Sequence, residues 1–235
     1  MIEYRPFSSL GAADHGWLNA HFHFSFADYH HIDRMGWGAL RVWNDDIIQP
    51  MTGFPPHPHA NMEIITFVKE GAISHQDNQG NIGKTEAGSV QVMSAGTGIA
   101  HAEYNRENIY TRLFQIWIYP DEDKKNQEPS WGNKLFNHTK GEWNVLASGF
   151  DQDKDALPIK TASRVVGITL DQNQQVDYVF EGKDRLGYLV VAKGSLKIND
   201  HTLNEGDAVA IELETSLTLH GLFDNSQAIL VDTLR

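Results

Sequence analysis

The chain of 235 residues is long enough for two domains of ordinary size, and its apolar content of 40% suits a globular protein. Its formal net charge of −12 opposes binding to phosphate backbones, and the lack of cysteine excludes disulfides, thiolate zinc sites and cysteine nucleophiles. No apolar run approaches the roughly 20 residues that cross a bilayer and no secretory signal is recognisable, so we expect a cytoplasmic protein without membrane or direct nucleic-acid partners.

The first predicted strands lie in the N-terminal segment. Residues 21–26 alternate between phenylalanine and histidine or serine, which is the period of a half-buried strand. His21 and His23 form a His-x-His pair there, and we expect them to cover the polar face of a strand whose phenylalanines fill the core. Residues 39–43 predict a further strand, which the Asn-Asp-Asp sequence at 44–46 is expected to end, because Asn and Asp are typical of turns.

Two short polar pairs stand out in the segment 53–105. They are His57-Pro58-His59 and His101-Ala102-Glu103. Side chains two residues apart on a strand point to the same face. If both pairs lie on strands that face each other, three imidazoles and one carboxylate can meet in one space. Prolines at 55, 56 and 58 place the first pair on an edge strand or a barrel rim, since proline cannot donate to a ladder.

The rest of the first half reads as strands and turns, without a long segment of helical periodicity. Polar, proline-containing stretches at 121–131 and 148–158 are expected to be connections, with a domain boundary near residue 135. The predicted strands are 62–68, 72–75, 89–93 and 111–119, and the predicted turns are 77–81, 86–88 and 96–98.

The second half repeats this layout. Residues 188–194 correspond in pattern to residues 64–71, and residues 204–210 correspond to residues 86–91. This repeat predicts two copies of one β-barrel. We expect an N-terminal metal-binding barrel over 1–135 and a degenerate C-terminal barrel over 136–235.

The metal chemistry does not repeat. The positions of the second half that are equivalent to His57 and His59 are Phe180 and Gly182, which cannot bind a metal. His220 lacks an acidic residue two positions later, and its leucine neighbours take the inward-facing role. The C-terminal barrel is therefore expected to hold no metal.

Three segments carry a long and specific pattern: FPPHPH at 54–59, HQD at 75–77 and QVMSAGTGIAHAE at 91–103. Together they closely resemble the pirin family of the cupin superfamily, and the resemblance is dense over about residues 1–120. It implies an all-β bicupin, with two stacked antiparallel β-barrels of jelly-roll type in one chain and metal only in the first. It also implies the metal ligands, which would be His57, His59, His101 and Glu103.

The implied ligand set suits an open metal site. Three imidazoles and one carboxylate leave about two positions free on an octahedral ion. The carboxylate favours a harder divalent transition metal, so Fe(II) is favoured, with Mn, Co, Ni, Cu and Zn as alternatives. Several pirin-like proteins are quercetin 2,3-dioxygenases. The resemblance therefore implies oxygenative ring opening, with O2 and a flavonol-like aromatic molecule as substrates.

Two carboxylates compete for a role at this site. Glu63 has the same strand parity as His57 and His59, and many other cupins use a glutamate at this position. Strand parity and the resemblance to pirins together favour Glu103 as the ligand and Glu63 as an acid that either supports the ligands from behind or faces the core. We expect Glu103, or alternatively Glu63, to act as the general base that takes the proton of the substrate hydroxyl.

Two other functions fit the same sequence. One is a metal-binding regulatory or protein-interaction module without turnover, since some eukaryotic pirins are described as nuclear co-regulators and the acidic charge suits protein partners. The other is a cupin-type sugar isomerase, which needs a basic residue in the pocket, and Arg41 is the candidate. His75 and His138 are expected to be ordinary polar residues beside a turn and in a connection.

Overall fold

The computed structural model describes residues 1–136, 139–182 and 184–235, so His138 lies outside the described residues. In this part of the chain the strands are accompanied by short 3-10 helices, and no α-helix occurs, as the lack of helical periodicity predicted. None of the described helices is long and apolar enough to cross a membrane. The 3-10 helices are Phe7–Ser9, Ile32–Arg34 and Glu122–Lys124.

Strands account for most of the regular structure, and their bounds agree with most of the predicted strands to within a few residues. The strands are, in chain order, β1 (Ile2–Arg5), β2 (Gly11–Asp14), β3 (Leu18–Phe22), β4 (Leu40–Ile48), β5 (Gly53–His59), β6 (Glu63–Glu70), β7 (Ala72–Asp77), β8 (Ile82–Glu86), β9 (Ser89–Ser94), β10 (Ile99–Tyr104), β11 (Thr111–Ile118), β12 (Ser130–Leu135), β13 (Asn144–Ser148), β14 (Leu157–Pro158), β15 (Arg164–Leu170), β16 (Gln175–Val179), β17 (Arg185–Lys193), β18 (Ser195–Ile198), β19 (His201–Asn204), β20 (Ala208–Glu212), β21 (Ser216–Gly221) and β22 (Ser226–Leu234).

One compact unit comprises residues 11–136 and 157–161. Its seven-stranded sheet has the order β12-β9-β6-β11-β4-β3-β2, and its four-stranded sheet has the order β5-β10-β7-β8. Neighbouring strands are antiparallel. β5 is an edge strand, as its prolines predicted. One apolar cluster of this unit consists of Leu18, Ala20, Phe22, Ile48, Val68, Ile73 and Leu113.

The other unit contains residues 1–10, 139–156 and the C-terminal segment from residue 162. One of its sheets runs β1-β20-β17-β22-β15-β13, and the other runs β16-β21-β18-β19. Leucines and valines from both sheets form its large apolar core, in which Leu217 and Leu219 are buried. His220 is only half-buried and lies opposite Gln175 on β16.

The predicted repeat is confirmed by the strand order. The order β9-β6-β11-β4 in the first unit is matched by β20-β17-β22-β15 in the second, and β5-β10-β7-β8 is matched by β16-β21-β18-β19. Each unit is thus a cupin barrel, and the chain is an all-β bicupin. The ranges of the units differ from 1–135 and 136–235 because β1 pairs with β20 and because residues 157–161 return to the first unit. A single boundary along the chain cannot describe strand pairings that ignore chain order.

Two sequence expectations about the N-terminal strands are corrected. β3 ends at Phe22, and His23 is fully buried against the Trp43 ring, so it does not cover a polar face. β4 does not end at residues 44–46 but continues to Ile48. Pairing with β3 on one side and β11 on the other holds these polar residues in the strand, because two ladders outweigh the local preference for a turn.

Candidate metal centre

The two polar pairs lie on hydrogen-bonded neighbours, β5 and β10. His101 is opposite His57, and Ile99 is opposite His59. The register then shifts between His101 and Glu103, which lies opposite Phe54. An irregularity of this kind re-aims the side chains that follow it. The pairs were expected to face each other across the barrel, whereas they are side by side on one sheet.

The three imidazoles converge. The ring centroids of His57 and His101 are 4.5 Å apart, those of His57 and His59 are 4.8 Å apart, and those of His59 and His101 are 5.1 Å apart. One ligand nitrogen from each ring lies within 4.8 Å of the other two, a spacing at which they could hold a metal ion. His101 is 3% exposed, and the other two rings are partly exposed. The site therefore has a buried base and an accessible side.

A chain of hydrogen bonds fixes which nitrogen of His101 is free. His75 donates from Nε2 to Asp77 Oδ2 over 2.9 Å, which leaves the His75 Nδ1 lone pair as an acceptor. His101 Nδ1 lies 3.4 Å from that atom and can donate to it. His101 Nε2 is then an unprotonated nitrogen, and it is buried without a hydrogen-bond partner in the described structure. A metal ion would satisfy this atom, so the residues fit the ion that the fold implies.

The other two histidines also leave a nitrogen for a ligand. His57 Nδ1 lies 2.8 Å from the carbonyl oxygen of Pro55 and must donate to it, so Nε2 is the nitrogen that is left for a ligand. Burial and the neighbouring His57 lower the pKa of His59 to about 4. Burial and the surrounding histidines lower the pKa of His101 to about 3. Both rings are therefore unprotonated at neutral pH, as metal ligation requires.

Glu103 lies beside this cluster and is held from both sides. Its Oε1 accepts a hydrogen bond of 2.5 Å from Gln91 Nε2, and its Oε2 accepts one of 3.1 Å from Gln115 Nε2. Burial raises the pKa of the Glu103 carboxyl, although His75 and the two amides oppose this. The carboxylate groups with His75 and His101 as a second set within 4.8 Å, not with the set of three imidazoles. Its ligation of the same ion stays a prediction.

Glu63 does not share the face of His57 and His59. It begins β6, after a turn in which Asn61 has a φ of 48°, and strand parity does not carry across that turn. Its carboxylate accepts hydrogen bonds from Ser94 Oγ over 2.6 Å and from the backbone nitrogen of Lys160 over 3.1 Å. Burial raises its pKa. Glu63 belongs to neither of the two candidate ligand groups found among the described residues, and we assign no step to it.

His75 is not the ordinary polar residue that the sequence suggested. It is buried, it bridges Asp77 and His101, and its ring stacks on Trp131 at 4.7 Å between centroids. Asp77 also forms the predicted turn by accepting from the backbone of Gln79. His75 and Asp77 are two residues apart on β7, so they form a third polar pair of the kind that singled out the first two.

A cavity of about 440 Å³ opens onto the imidazoles. Apolar side chains, of which five are aromatic, form much of its wall, and its polar lining includes Asn44, Asp46 and Gln115 beside the metal-centre residues. Arg41 is not among its lining residues and donates instead to the carbonyl oxygen of Ser25. Since no lysine or arginine is found among the described residues that line the cavity, the isomerase alternative loses its basic group. The aromatic lining residues are Trp17, Phe22, Phe26, Phe54 and Trp117.

Two cupin barrels, of which the first gathers histidines at the base of an apolar cavity, define a bicupin with a candidate metal site. The family model described as Pirin matches residues 4–118, and the one described as Quercetinase C-terminal cupin domain matches residues 145–233. Together with the relatives below, these matches show that the chain belongs to the pirin family.

Relatives of similar length support this membership. A pirin-like protein of Caulobacter vibrioides is 55% identical over 99% of both chains. A quercetin 2,3-dioxygenase of Escherichia coli is 37% identical over 99% of this chain and 98% of its own. The crystal structure of the Escherichia coli pirin YhhW in complex with nickel(II) superposes with a TM-score of 0.92 at 35% identity, covering 100% of this chain and 99% of the other.

Proposed function

We propose that the protein is a metal-dependent dioxygenase of pirin type that opens the ring of flavonols such as quercetin. The observation that carries this proposal is the convergence of three imidazoles on an aromatic-lined cavity. Relatives that cover almost all of the chain bear the name quercetin 2,3-dioxygenase. The proposed substrates are thus a flavonol and O2.

His57, His59 and His101 would hold a divalent transition metal, with Glu103 as the fourth ligand. When bound, the ion would supply Lewis acidity and open positions for a chelating substrate and oxygen. Fe(II) is the ion we favour on ligand chemistry, and the nickel complex of the related pirin is compatible with other ions at such a site. The hydrogen bonds that run from His101 through His75 to Asp77 would fix the orientation of the His101 ring towards the ion.

Glu103 is the proposed general base. Its carboxylate lines the cavity, and Gln91 and Gln115 fix both oxygens. The proton of the substrate hydroxyl would pass to one of these oxygens. A raised pKa brings the carboxyl closer to the working pH, which improves a group that must first take up a proton and then release it.

The cavity walls would orient a flat ring system. Phe54 and Trp17 meet edge to face at 5.0 Å between centroids, and Trp117 meets His59 in the same way at 4.9 Å. Aromatic rings bury large apolar areas and pack well against other aromatic rings. A wall of this composition favours an aromatic substrate over a sugar.

Oxygen-dependent turnover tests the proposal. Metal-stripped protein is reconstituted with Fe, Mn, Co, Ni or Cu, and quercetin loss and oxygen uptake are measured in air and under argon. We expect one or more ions to give turnover in air only. Replacement Glu103→Gln should lower kcat by about 10²–10⁴-fold, the usual contribution of a general base. Glu63→Gln should lower it far less.

Absence of oxygen-dependent turnover with every one of these ions would remove the dioxygenase proposal. The regulatory alternative would then gain support if protein partners were captured by the metal-bound wild type and lost with His101→Asn. A Glu63→Gln variant as impaired as Glu103→Gln would instead reassign the base.

A further inference from the structure

Strand β4 presents two polar side chains to the cavity. Asn44 and Asp46 are two residues apart on the strand, and both line the cavity. They are 4% and 2% exposed. Both stand opposite apolar or amide neighbours on the adjacent strands, Phe22 and Gln115 for Asn44 and Leu113 for one side of Asp46. Polar groups at such positions normally have hydrogen-bond partners.

These two side chains each keep an unused acceptor. Within the described residues, Asn44 Oδ1 and Asp46 Oδ1 are buried and have no hydrogen-bond partner. Gln115 on the neighbouring strand is paired, since it accepts from Thr66 Oγ1 over 3.1 Å and donates to Glu103. Trp117 Nε1, which also belongs to the cavity lining, is like the two acceptors buried without a partner in the described part of the chain, so unpaired polar groups gather at this cavity. A ligand that brings donors would satisfy the two acceptors.

Asp45, which lies between Asn44 and Asp46 on β4, does have a partner. Asp45 lies on the opposite face of β4, where its Oδ1 accepts a hydrogen bond of 2.6 Å from Lys69 Nζ. That ammonium also lies 4.3 Å from the Phe114 ring centroid, so its place is on the side of Asp45. The described cavity lining holds no lysine or arginine, and neither of the two acceptors has a hydrogen-bond partner among the described residues.

The chemistry of the missing donors follows from the rest of the cavity. Burial, reinforced by the nearby Asp45 and Glu103, raises the pKa of Asp46 well above its usual value. The same burial and neighbouring carboxyls would oppose the negative charge of an anionic ligand group at this place. The walls are aromatic, so the body of the ligand is expected to be flat and apolar. Neutral hydroxyl groups on an aromatic ring combine these two properties, and each can donate one hydrogen bond to an oxygen acceptor.

We propose that Asn44 Oδ1 and Asp46 Oδ1 form a subsite that accepts hydrogen bonds from ring hydroxyl groups of the ligand, additional to the hydroxyl that faces the metal ligands. The inference rests on the proposed function and narrows it: the ligand is a polyhydroxylated flavonol rather than a flavonol with the chelating hydroxyl alone. A ligand without these hydroxyls would keep both acceptors buried and unpaired.

Anaerobic binding of two flavonols tests the subsite. Quercetin carries hydroxyls on both ring systems, whereas 3-hydroxyflavone has the same chelating oxygens and no other hydroxyl. Dissociation constants are measured on the nickel-loaded protein by quenching of tryptophan fluorescence, since Trp17 and Trp117 line the cavity. We expect quercetin to bind the wild type about ten- to a hundredfold more tightly, the effect of one or two hydrogen bonds to polar or charged groups.

The variant Asp46→Leu keeps the branched shape and removes the acceptor. We expect its preference for quercetin to fall at least about tenfold while the affinity for 3-hydroxyflavone changes less than about twofold. Its thermal midpoint without ligand should not drop, because an unpaired buried carboxyl is replaced by an apolar group. Asp45→Asn is the matched control on the other face of β4, and its preference should equal that of the wild type.

Equal weakening of both flavonols by Asp46→Leu would overturn the subsite, and so would an unchanged preference. If that variant does not fold, Asn44→Leu decides by the same ratio. Binding is measured without oxygen, so it is independent of turnover. If the variants lose the preference for quercetin and the wild type shows no turnover in air, the subsite is supported and only the dioxygenase proposal is contradicted. A nickel-loaded wild type that binds neither flavonol would overturn the subsite itself.

Discussion

His101 is the residue at which the metal proposal and the buried hydrogen-bond chain meet. Its Nδ1 faces His75, and its Nε2 is buried without a partner in the described structure. A ring held in this way has one nitrogen committed to the protein and one left for a ligand. Its removal should therefore affect metal binding more than removal of a histidine outside the cluster.

We expect His101→Asn to weaken metal binding by more than the roughly 10- to 100-fold that is typical when a group behind a ligand is lost. Isothermal titration of metal-stripped protein with nickel measures this. His21→Asn is the matched control, because His21 is a half-buried histidine of β3 and was expected not to bind metal. An affinity that is equal in both variants would contradict imidazole ligation at residue 101.

The lowered pKa values of His59 and His101 predict a pH dependence of stability in the metal-free protein. In the unfolded chain both histidines titrate near about 6.5, whereas in the folded protein their pKa values are about 4 and about 3. The unfolded chain thus binds more protons below about pH 6.5, so the histidines contribute a loss of stability that grows as the pH falls from there towards about 4.

Urea unfolding of metal-free protein at about pH 7.5, 6 and 5 measures this loss, since these values lie on both sides of the histidine pKa of the unfolded chain. The double variant His59→Asn/His101→Asn should lose less stability over the same range than the wild type. Comparison of the two removes the opposite contribution of Glu103, whose raised pKa favours the folded state at low pH. Equal pH dependence in both proteins would show that these rings are not neutral in the fold.

At the scale of the element, the position of β5 requires that its backbone at Gly53 lie very close to the backbone of β10. A Cβ at Gly53 would lie 2.2 Å from the carbonyl oxygen of Glu103 and 2.5 Å from the Cα of Tyr104. The glycine is thus needed where the two strands run together beside the irregularity in β10. Any displacement of β5 at this point moves His57 and His59 relative to His101, since those rings are carried on the same two strands.

Gly53→Ala should lower the free energy of unfolding by about 1–3 kcal/mol, a usual cost of overpacking, and should also weaken nickel binding. Gly132→Ala on β12 is the control, because a Cβ there meets only Leu157 Cδ2 at 3.7 Å. It should change stability by less than about 1 kcal/mol. Urea unfolding and nickel titration of both variants check the pair, and equal stability of the two would mean that β5 can move away freely.

Strand β4 shows where local signals mislead. The Asn-Asp-Asp sequence at 44–46 has the composition of a turn, yet it continues a central strand. Turn propensity is weak compared with ladders on both sides. Two of these polar residues face the cavity and keep unused acceptors. Departures of this kind are expected at functional sites, where a local rule is broken for the sake of a ligand.

At the scale of the whole molecule, the two barrels have the same strand order and different interiors. The first gathers histidines on β5 and β10, whereas the matching strands β16 and β21 contribute apolar residues such as Leu217 and Leu219 to a core. Both groups of side chains that could hold a metal ion, as far as the described residues go, lie in the first unit. The interior side chains of the second barrel are therefore expected to stabilise the fold by apolar packing.

We therefore expect Leu219→Ala to lower the free energy of unfolding by about 2–5 kcal/mol, the cost of deleting a buried leucine. The surface variant Val179→Ala on β16, where the side chain is 67% exposed, should stay within about 0.5 kcal/mol of the wild type. Nickel affinity of the folded protein should be unchanged in both. Loss of nickel affinity in Leu219→Ala below its unfolding midpoint would mean that the second barrel takes part in the metal site.

The amino-acid sequence by itself determined the all-β class, the repeat of two barrels and the two polar pairs on strands. These features depend on periodicity, proline placement and residue spacing, all of which are local. Only the tertiary structure decided that Asp77, His75 and His101 form one hydrogen-bonded chain, that Glu63 accepts a hydrogen bond from Ser94, and that residues 44 and 46 face the cavity. Those outcomes depend on the register between strands far apart in the chain and on one irregularity in β10, which no local pattern encodes.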